Sequence, residues 1–270
     1  MTDRSAAPRV ALSLEERGAG GRIARLVLDH PGKLNILNRA LIRALTEKVD
    51  ALAGEERLRA VVLSGAGERA FIGGADIRDM AGLDQKSAVT FITELHRACD
   101  ALRRLPVPVI ARIHGYALGA GLEVAAACDL RLASEQARFG MPEVRVGIPS
   151  VIEAALLPGL IGWGRTRRLL LTAETIDAQT AERWGLVDWC VPAAQLDAAT
   201  DELLDAILAC GAEALRLQKA LIRDWEDLPL SQAVARGIAR FAEAFAGDEP
   251  KAMMGAFLAK AAARKKRAGR

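Results

Sequence analysis

Aromatic side chains are scarce in this sequence, because its 270 residues include only six Phe, four Trp and one Tyr. Aliphatic side chains must therefore fill the core, and a hydrophobic content of 51% supplies enough of them. No apolar run reaches the roughly 20 residues of a membrane-spanning helix, and residues 1–18 carry charges where a secretory signal needs an apolar stretch. This composition excludes a disordered or collagen-like chain and predicts one or two globular domains.

Closely spaced cysteines and clustered histidines are also missing. The four cysteines (Cys99, Cys128, Cys190 and Cys210) have no paired spacing that would suit zinc or a redox shuttle. Their apolar neighbours predict buried thiols in a reducing compartment, which favours a cytoplasmic location. His30, His96 and His114 are dispersed, and His96 falls on a polar helical face. We therefore expect neither a metal site nor a Ser/His/Asp triad.

Positive charge is concentrated at the C-terminus, although the net charge of the chain is only +3. Residues 260–270 carry six basic side chains and no acidic one, so the rest of the chain is net acidic. Such a run is typical of a solvated helix end, of a contact to the phosphates of a small molecule, or of nucleic-acid binding. No aromatic residue is interleaved with it, which makes nucleic acid the less favoured partner.

Apolar periodicity predicts an α/β region followed by a helical one. Residues 22–29, 58–64 and 107–113 are typical of strands, and helices are predicted from Asn38 and over about 85–104. Beyond residue 150 the pattern favours helices, at 150–161, 165–172, 177–184, 194–209, 212–225, 230–246 and 249–264. We therefore predict an α/β core over residues 1–192 and a helical region over 193–270, divided at Pro192. The four tryptophans are interpreted as core or subunit-contact residues.

Two glycine-bearing turns are the first candidates for a site. They cover residues 71–77 (FIGGADI) and 114–123 (HGYALGAGLE), each after a predicted strand. Glycine lets the backbone approach a ligand, and the first N–H groups of a helix are free to bind an anion or a polarised carbonyl. Neither turn matches a nucleotide-binding fingerprint. The alternative is that both turns merely connect packed elements.

Two carboxylates follow these turns. Glu123 lies in the first turn of an apolar helix, and Glu143 follows Pro142. Burial would raise the pKa of either carboxyl towards the range of a general acid or base. The alternatives are a favourable interaction of Glu123 with its helix N-terminus and a surface position for Glu143.

Glu153 is a third carboxylate that allows two interpretations. Ser150-x-x-Glu153 fits a capping box at the start of the predicted helix 150–161. Alternatively, Glu153 reaches the pocket, where it would act as an acid/base or bind a polar group of the substrate.

The ordered motifs of the chain resemble those of the enoyl-CoA hydratase/isomerase, or crotonase, superfamily. They are KLN (33–35), FIGGADI (71–77), PVIARIHGYALGAGLEVAAACDLRLAS (108–134), ARFGMPEVRVGIP (137–149) and ETIDAQTAERWGLVD (174–188). The resemblance covers nearly the whole chain. It implies an α/β fold built as a spiral of ββα units with a helical C-terminal region, a homotrimer or a hexamer formed as a dimer of trimers, and a CoA-thioester substrate.

The resemblance also implies roles for individual residues. The N–H groups of Gly73 and Ala120 would form an oxyanion hole, and Glu123 and Glu143 would be the catalytic pair. The CoA and acyl channel would be lined by Lys33, Leu34, Gly74, Ala75, Asp76, Ile77, Leu118, Pro142 and Glu153. The family's C-terminal helix often offers a basic side chain to the nucleotide phosphates. No metal and no cofactor beyond the CoA of the substrate is implied.

This sequence departs from the family pattern at two places. Ser150-Val151-Ile152-Glu153 replaces a glycine-rich stretch of many hydratases, and Ala120 stands where the family usually has Gly. Because both glutamate positions are filled, we expect a hydro-lyase that adds water across a 2-enoyl-CoA. The alternatives are an isomerase or another CoA-thioester enzyme, and an RNA-binding member of the family is less favoured.

Overall fold

The computed structural model describes residues 7–268, except for the side chains of residue 19 and of residues 263–268. The chain forms two compact units, divided between Asp205 and Ala206. The predicted boundary at Pro192 lies within the first unit, and as a division between functional domains it stays a prediction. The side chains of most of the basic run 260–270 lie outside the described residues.

The strands of the first unit form two sheets. The strands are β1 Arg9–Glu16, β2 Arg22–Asp29, β3 Leu58–Gly65, β4 Ala70–Ile72, β5 Val109–Ile113, β6 Tyr116–Leu118, β7 Leu130–Ser134, β8 Arg138–Gly140, β9 Thr175–Asp177 and β10 Trp189–Val191. The larger sheet has the order β1-β2-β3-β5-β7-β10, and it is parallel except for the β1–β2 pair. The smaller sheet has the order β4-β6-β8-β9, with β9 antiparallel.

The helices follow the strands in a repeated order. They are α1 Arg39–Leu52, α2 Ile77–Met80, α3 Gln85–Arg104, α4 Ala120–Ala126, α5 Leu157–Thr172, α6 Ala178–Trp184, α7 Leu196–Leu208, α8 Ala212–Asp227, α9 Leu230–Ala244 and α10 Glu249–Ala268. The pairs β3–β4, β5–β6 and β7–β8 each place one strand in each sheet before the chain turns into helix. This repetition is the predicted spiral of ββα units, and the helical C-terminal region follows it.

Local sequence accounts for the two long helices of the core. The Asn38 side chain accepts a hydrogen bond of 2.9 Å from the Leu41 N–H at the start of α1, and the apolar face of α1 is buried, as predicted. Asp84 and Ser87 form a capping box at the start of α3. The helix ends two residues before Pro106, because the residue that precedes a proline disfavours helical geometry.

The predicted helix over 150–161 was wrong in its first part, whereas its residues from Leu157 onward are helical. Val151 is extended, Ile152 has a φ of +37°, and residues Ile152–Leu156 form a 3₁₀ turn before α5 begins at Leu157. The left-handed backbone at Ile152 prevents an α-helix from starting at Ser150. The strands β4, β6, β8, β9 and β10 were missed because segments of three residues show no periodicity, and the longer strands β1 and β7 were not predicted either.

The predicted burial of the cysteines holds for two of the four. Cys99 and Cys128 are buried, Cys190 is half-buried, and Cys210 is exposed in the turn after α7. Trp163, Trp189 and Trp225 are also exposed in the single chain, so the core interpretation was wrong for them, and subunit contact stays a prediction. None of the helices within residues 7–268 is long and apolar enough to cross a membrane.

Candidate active site

The two glycine-bearing turns of the sequence pack against each other, backbone to backbone. A Cβ on Gly121 would collide with the main chain of Ile72 at the end of β4, and one on Gly74 would lie 3.3 Å from the Leu118 carbonyl oxygen. Gly74 also has a φ of +120°, which favours glycine. Because no side chain separates them, the residue after Gly74 and the first residue of α4 border the same space.

Hydrogen bonds decide which N–H groups of the first turn are free. The Gly73 N–H donates to the Leu34 carbonyl over 2.8 Å, so it already has an acceptor. Leu37 donates to the Gly74 carbonyl and accepts from the Asp76 N–H, at 2.8 and 2.9 Å. In this parallel bridge the N–H of Ala75 points away from Leu37. Within the described residues neither the Ala75 N–H nor the Gly74 N–H has an acceptor, so these two are the free donors of this turn.

The second turn presents another N–H group at the start of α4. Gly119 has a φ of +52°, and its carbonyl accepts from the N–H groups of Leu122 and Glu123 at 2.8 and 3.0 Å. Ala120 is the first residue of the helix, so its N–H has no carbonyl one turn earlier to bond. The Ala120 side chain is buried.

Glu123 is a buried carboxyl in a helix that is buried on every side. Its side chain is 4% exposed, and every other residue of α4 is buried as well. The pKa of Glu123 is raised to about 8, first by burial and then by the negative charges of Glu143 and Glu153, while the facing N–H groups of Ala154 and Val151 partly oppose the rise. Glu123 therefore holds a proton at neutral pH, in contrast to a surface carboxylate at a helix N-terminus.

Glu143 lies beside the second turn, at the start of the 3₁₀ turn Glu143–Val146. A Cβ on Gly119 would collide with Oε1 of Glu143, which shows how closely this carboxyl approaches the start of α4. Its other oxygen, Oε2, accepts a hydrogen bond of 2.8 Å from Ser150 Oγ. The structure thus brings both predicted glutamates to the paired turns, and it places Glu143 in a half-buried position.

Glu153 is 3% exposed and does not form the capping box with Ser150. The Ser150 hydroxyl is bonded to Glu143 instead, and Oε1 of Glu153 lies 2.8 Å from Nδ1 of His96 on α3. Burial raises the pKa of Glu153, whereas His96, the Cys99 thiol and Arg103 lower it. The assignment of His96 to a polar face without a function missed this pair, because the two residues are 57 positions apart.

The remaining predicted residues surround these turns. Leu34, with a φ of +58°, and Ala75 lie on either side of the Gly73 turn, and Asp76 caps α2 by accepting from the Arg78 N–H at 2.9 Å. Ile77 is exposed at the start of α2, whereas Leu118 and Pro142 are half-buried beside Gly119. The structure gives Lys33 no side-chain partner among the described residues, and its channel role stays a prediction.

Asn35 is a structural residue that the motif contains but that received no role from the sequence. Its buried side chain accepts from the His30 N–H at 2.9 Å and donates to the carbonyls of Ala66 and Ala70, at 2.9 and 2.8 Å. These bonds hold the left-handed backbone at Leu34 and Asn35 itself. Asn35 therefore holds in place the Leu34 carbonyl, which accepts the hydrogen bond from the Gly73 N–H.

A sequence model of the enoyl-CoA hydratase/isomerase family matches residues 18–266. The chain belongs to this family. It is 34% identical to the short-chain-enoyl-CoA hydratase of Clostridium acetobutylicum, over 89% of this chain and 92% of that protein. It is 33% identical to the crotonyl-CoA hydratase of Syntrophomonas wolfei, over 88% of this chain and 92% of that protein.

Solved structures of enoyl-CoA hydratases have the same fold. The enzyme from Mycobacterium smegmatis superposes with a TM-score of 0.89 at 30% identity, covering 94% of this chain and 97% of that one. The enzyme from Bacillus anthracis gives a TM-score of 0.86 at 30% identity, covering 92% and 96%. The predicted membership of the enoyl-CoA hydratase/isomerase family and the predicted crotonase fold are therefore confirmed.

Proposed function

We propose that this protein is an enoyl-CoA hydratase, which adds water across the double bond of a 2-enoyl-CoA thioester. The observation that carries the proposal is the meeting of Glu123 and Glu143 at two backbone turns that each present a free N–H. The relatives described above as short-chain-enoyl-CoA and crotonyl-CoA hydratases support it. An enzyme of this class needs two carboxyls to divide the proton transfers and two donors for the thioester oxygen.

The oxyanion hole of this proposal consists of the N–H groups of Ala75 and Ala120. The sequence-based assignment placed the first donor at Gly73, but the Gly73 N–H is bonded to Leu34. As water adds to the β-carbon, negative charge develops on the thioester oxygen, and fixed donors stabilise this charge as it grows. Each donor of this kind typically contributes about 3–4 kcal/mol to lowering the barrier.

The two glutamates take different roles because Glu123 holds a proton. With a pKa of about 8, Glu123 is the acid that delivers its proton to the α-carbon. Glu143 takes a proton from the water molecule whose oxygen bonds to the β-carbon. After one turnover Glu123 is ionised and Glu143 is protonated, and transfer of a proton between them through solvent restores the starting state.

The substrate brings its own coenzyme, and we propose no other cofactor. Lys33, Leu34, Gly74, Ala75, Asp76, Ile77, Leu118 and Pro142 are proposed to line the CoA and acyl channel. Ile77 and the exposed Val144, Val146, Ile148 and Val151 offer apolar surface beside the glutamates, which suits an acyl chain. The cytoplasmic location stays part of the proposal.

We propose that the protein forms a homotrimer or a dimer of trimers, with the surface of α9 in the interface between subunits. Five large apolar side chains repeat along this helix and its C-cap residue at intervals of three or four residues and are exposed in the single chain: Leu230, Val234, Ile238, Phe241 and Phe245. An apolar stripe on an otherwise polar helix is typical of a covered interface.

Turnover of defined thioesters tests the proposed reaction. The purified protein is incubated with crotonyl-CoA and longer 2-enoyl-CoAs while the absorbance of the conjugated thioester is followed. We expect loss of this absorbance and a product heavier by one water molecule, and we expect neither with a Glu123→Gln/Glu143→Gln double variant. Absence of turnover at every chain length contradicts the hydratase proposal, and conversion of a 3-enoyl-CoA alone would indicate an isomerase.

A further inference from the structure

The backbone of residues 150–154 is strained at one position. Ile152 has a φ of +37°, which lies in the left-handed region. A β-branched side chain rarely adopts this conformation, because its Cβ substituents crowd the neighbouring backbone. Such a conformation costs free energy and persists only where surrounding contacts hold it. The contacts that hold this segment are therefore of interest.

The same segment contacts both glutamates of the site. The Ser150 hydroxyl donates a hydrogen bond of 2.8 Å to Oε2 of Glu143. The N–H groups of Val151 and Ala154 face the carboxyl of Glu123. The 3₁₀ turn that begins at residue 152 packs against both α3 and α4. Because one short segment contacts both carboxyls, a displacement of the segment would disturb both of them.

A side-chain hydrogen bond ties this segment to α3. Glu153 directly follows the strained residue and is 3% exposed, and its Oε1 lies 2.8 Å from Nδ1 of His96. A neutral imidazole that carries its proton on Nδ1 is sufficient to donate this bond. The helix α3 is itself held by a buried apolar face, so it provides a fixed point of attachment. Without His96, a buried carboxyl oxygen would lose its hydrogen-bond partner.

We propose that the hydrogen bond between His96 and Glu153 anchors the strained segment 150–154 to α3 and thereby holds Glu123 and Glu143 in their catalytic positions. His96 and Glu153 are positioning residues in this scheme, because they act on the substrate only through the segment and the two glutamates. The anchoring is a property of the resting protein, whereas its effect on the rate rests on the proposed hydratase function.

Hydrogen exchange of the resting protein provides the decisive test. His96→Leu removes both ring nitrogens at a side chain that is half-exposed, so the variant should fold. We expect the peptides that cover residues 150–156 to exchange about tenfold faster by mass spectrometry, because a strained segment that loses a hydrogen bond opens more often. In His96→Asn the side-chain amide can donate from nearly the position of Nδ1, and slow exchange should be restored.

Arg97→Leu is the matched control, since it places the same leucine at the next position of α3, which is also exposed. It should leave the exchange of residues 150–156 unchanged. Unchanged exchange in His96→Leu would overturn the inference, and so would an equal increase in the control. Exchange as fast in His96→Asn as in His96→Leu would overturn it as well, because the hydrogen bond would then not be the anchor.

Steady-state kinetics link the anchor to catalysis. With crotonyl-CoA, His96→Leu should lower kcat about tenfold while KM changes by less than about twofold, and His96→Asn should recover most of the loss. Combining His96→Leu with Ser150→Ala should lower kcat by less than the product of the two single effects, because both act through one segment.

Two kinetic outcomes would count against the inference in different ways. Wild-type kcat in His96→Leu, or effects that multiply fully in the double variant, would overturn its catalytic half. If the wild-type protein hydrates no enoyl-CoA, the proposed function fails, and hydrogen exchange still tests whether His96 anchors the segment.

Discussion

Ser150 Oγ donates a hydrogen bond of 2.8 Å to Oε2 of Glu143. Ser150 directly follows Pro149, and the carboxyl of Glu143 packs against Gly119. The hydrogen bond fixes the orientation of Glu143 relative to the free N–H of Ala120. The segment 150–153 thus contacts both glutamates of the site, through the Ser150 hydroxyl at Glu143 and through the Val151 N–H at Glu123.

Removing this hydroxyl should slow the reaction without unfolding the protein. We expect Ser150→Ala to lower kcat about tenfold, which corresponds to the loss of one hydrogen bond to a charged group. Ser150→Thr keeps a hydroxyl and should retain most of the activity. Steady-state kinetics with crotonyl-CoA measure both variants, and equal activities for the two would show that the hydroxyl does not orient Glu143.

The paired glutamates should be individually essential. Glu123→Gln and Glu143→Gln are nearly isosteric, and each should lower kcat by about two to four powers of ten while the circular dichroism spectrum stays unchanged. Glu94→Gln is the control. It also replaces a carboxyl by an amide, but on α3 and at a carboxyl that pairs with Arg43. Near-wild-type turnover in either site variant would remove that residue from the acid/base pair.

The free N–H of Ala75 distinguishes two versions of the oxyanion hole. Replacing the amide N–H of residue 75 by an ester oxygen, through incorporation of the hydroxy acid, should lower kcat about a hundredfold or more. The same replacement at Gly73 breaks the bond to Leu34 and should lower the melting temperature with a much smaller effect on kcat. The reverse ranking of the two kcat values would restore Gly73 as the donor.

The raised pKa of Glu123 predicts how stability depends on pH. The native state binds this proton more tightly than the unfolded state, so stability is complete below the ordinary value of 4.5 and declines as pH rises towards about 8. Glu123→Gln has no proton to lose and should exceed the wild type in unfolding free energy at pH 8 by about 1–3 kcal/mol. The advantage should disappear near pH 4. Urea unfolding at both pH values measures it, and a constant difference would contradict the assignment.

The apolar stripe of α9 predicts the assembly state. Ile238 is 70% exposed in the single chain, and Ile238→Glu should convert a trimer or hexamer into smaller species on light scattering after gel filtration. Gln232→Glu adds the same charge to another face of the helix and should leave the assembly unchanged. A monomeric wild-type protein would refute the proposed interface directly.

Much of this protein follows from local sequence. The spacing of apolar residues and the caps at Asn38 and Asp84 predict α1 and α3, because helix formation depends on neighbours within one or two turns. The motifs around Glu123 and Glu143 place both carboxyls next to glycine turns, and the fold brings them together as expected. The family resemblance, carried by ordered motifs over nearly the whole chain, is confirmed by the relatives.

Only the tertiary structure decided which groups of the site are engaged and which are free. From the sequence FIGGADI alone, the four N–H groups from Gly73 to Asp76 cannot be distinguished as free or bonded. The Gly73 N–H is bonded because it donates to the carbonyl of Leu34, which is far away in sequence. Ser150 and Glu153 fit a capping box locally, but Glu143 and His96 bind them more favourably in the folded chain. Hydrogen-bond partners and burial are properties of packing between distant segments, so no local pattern carries them.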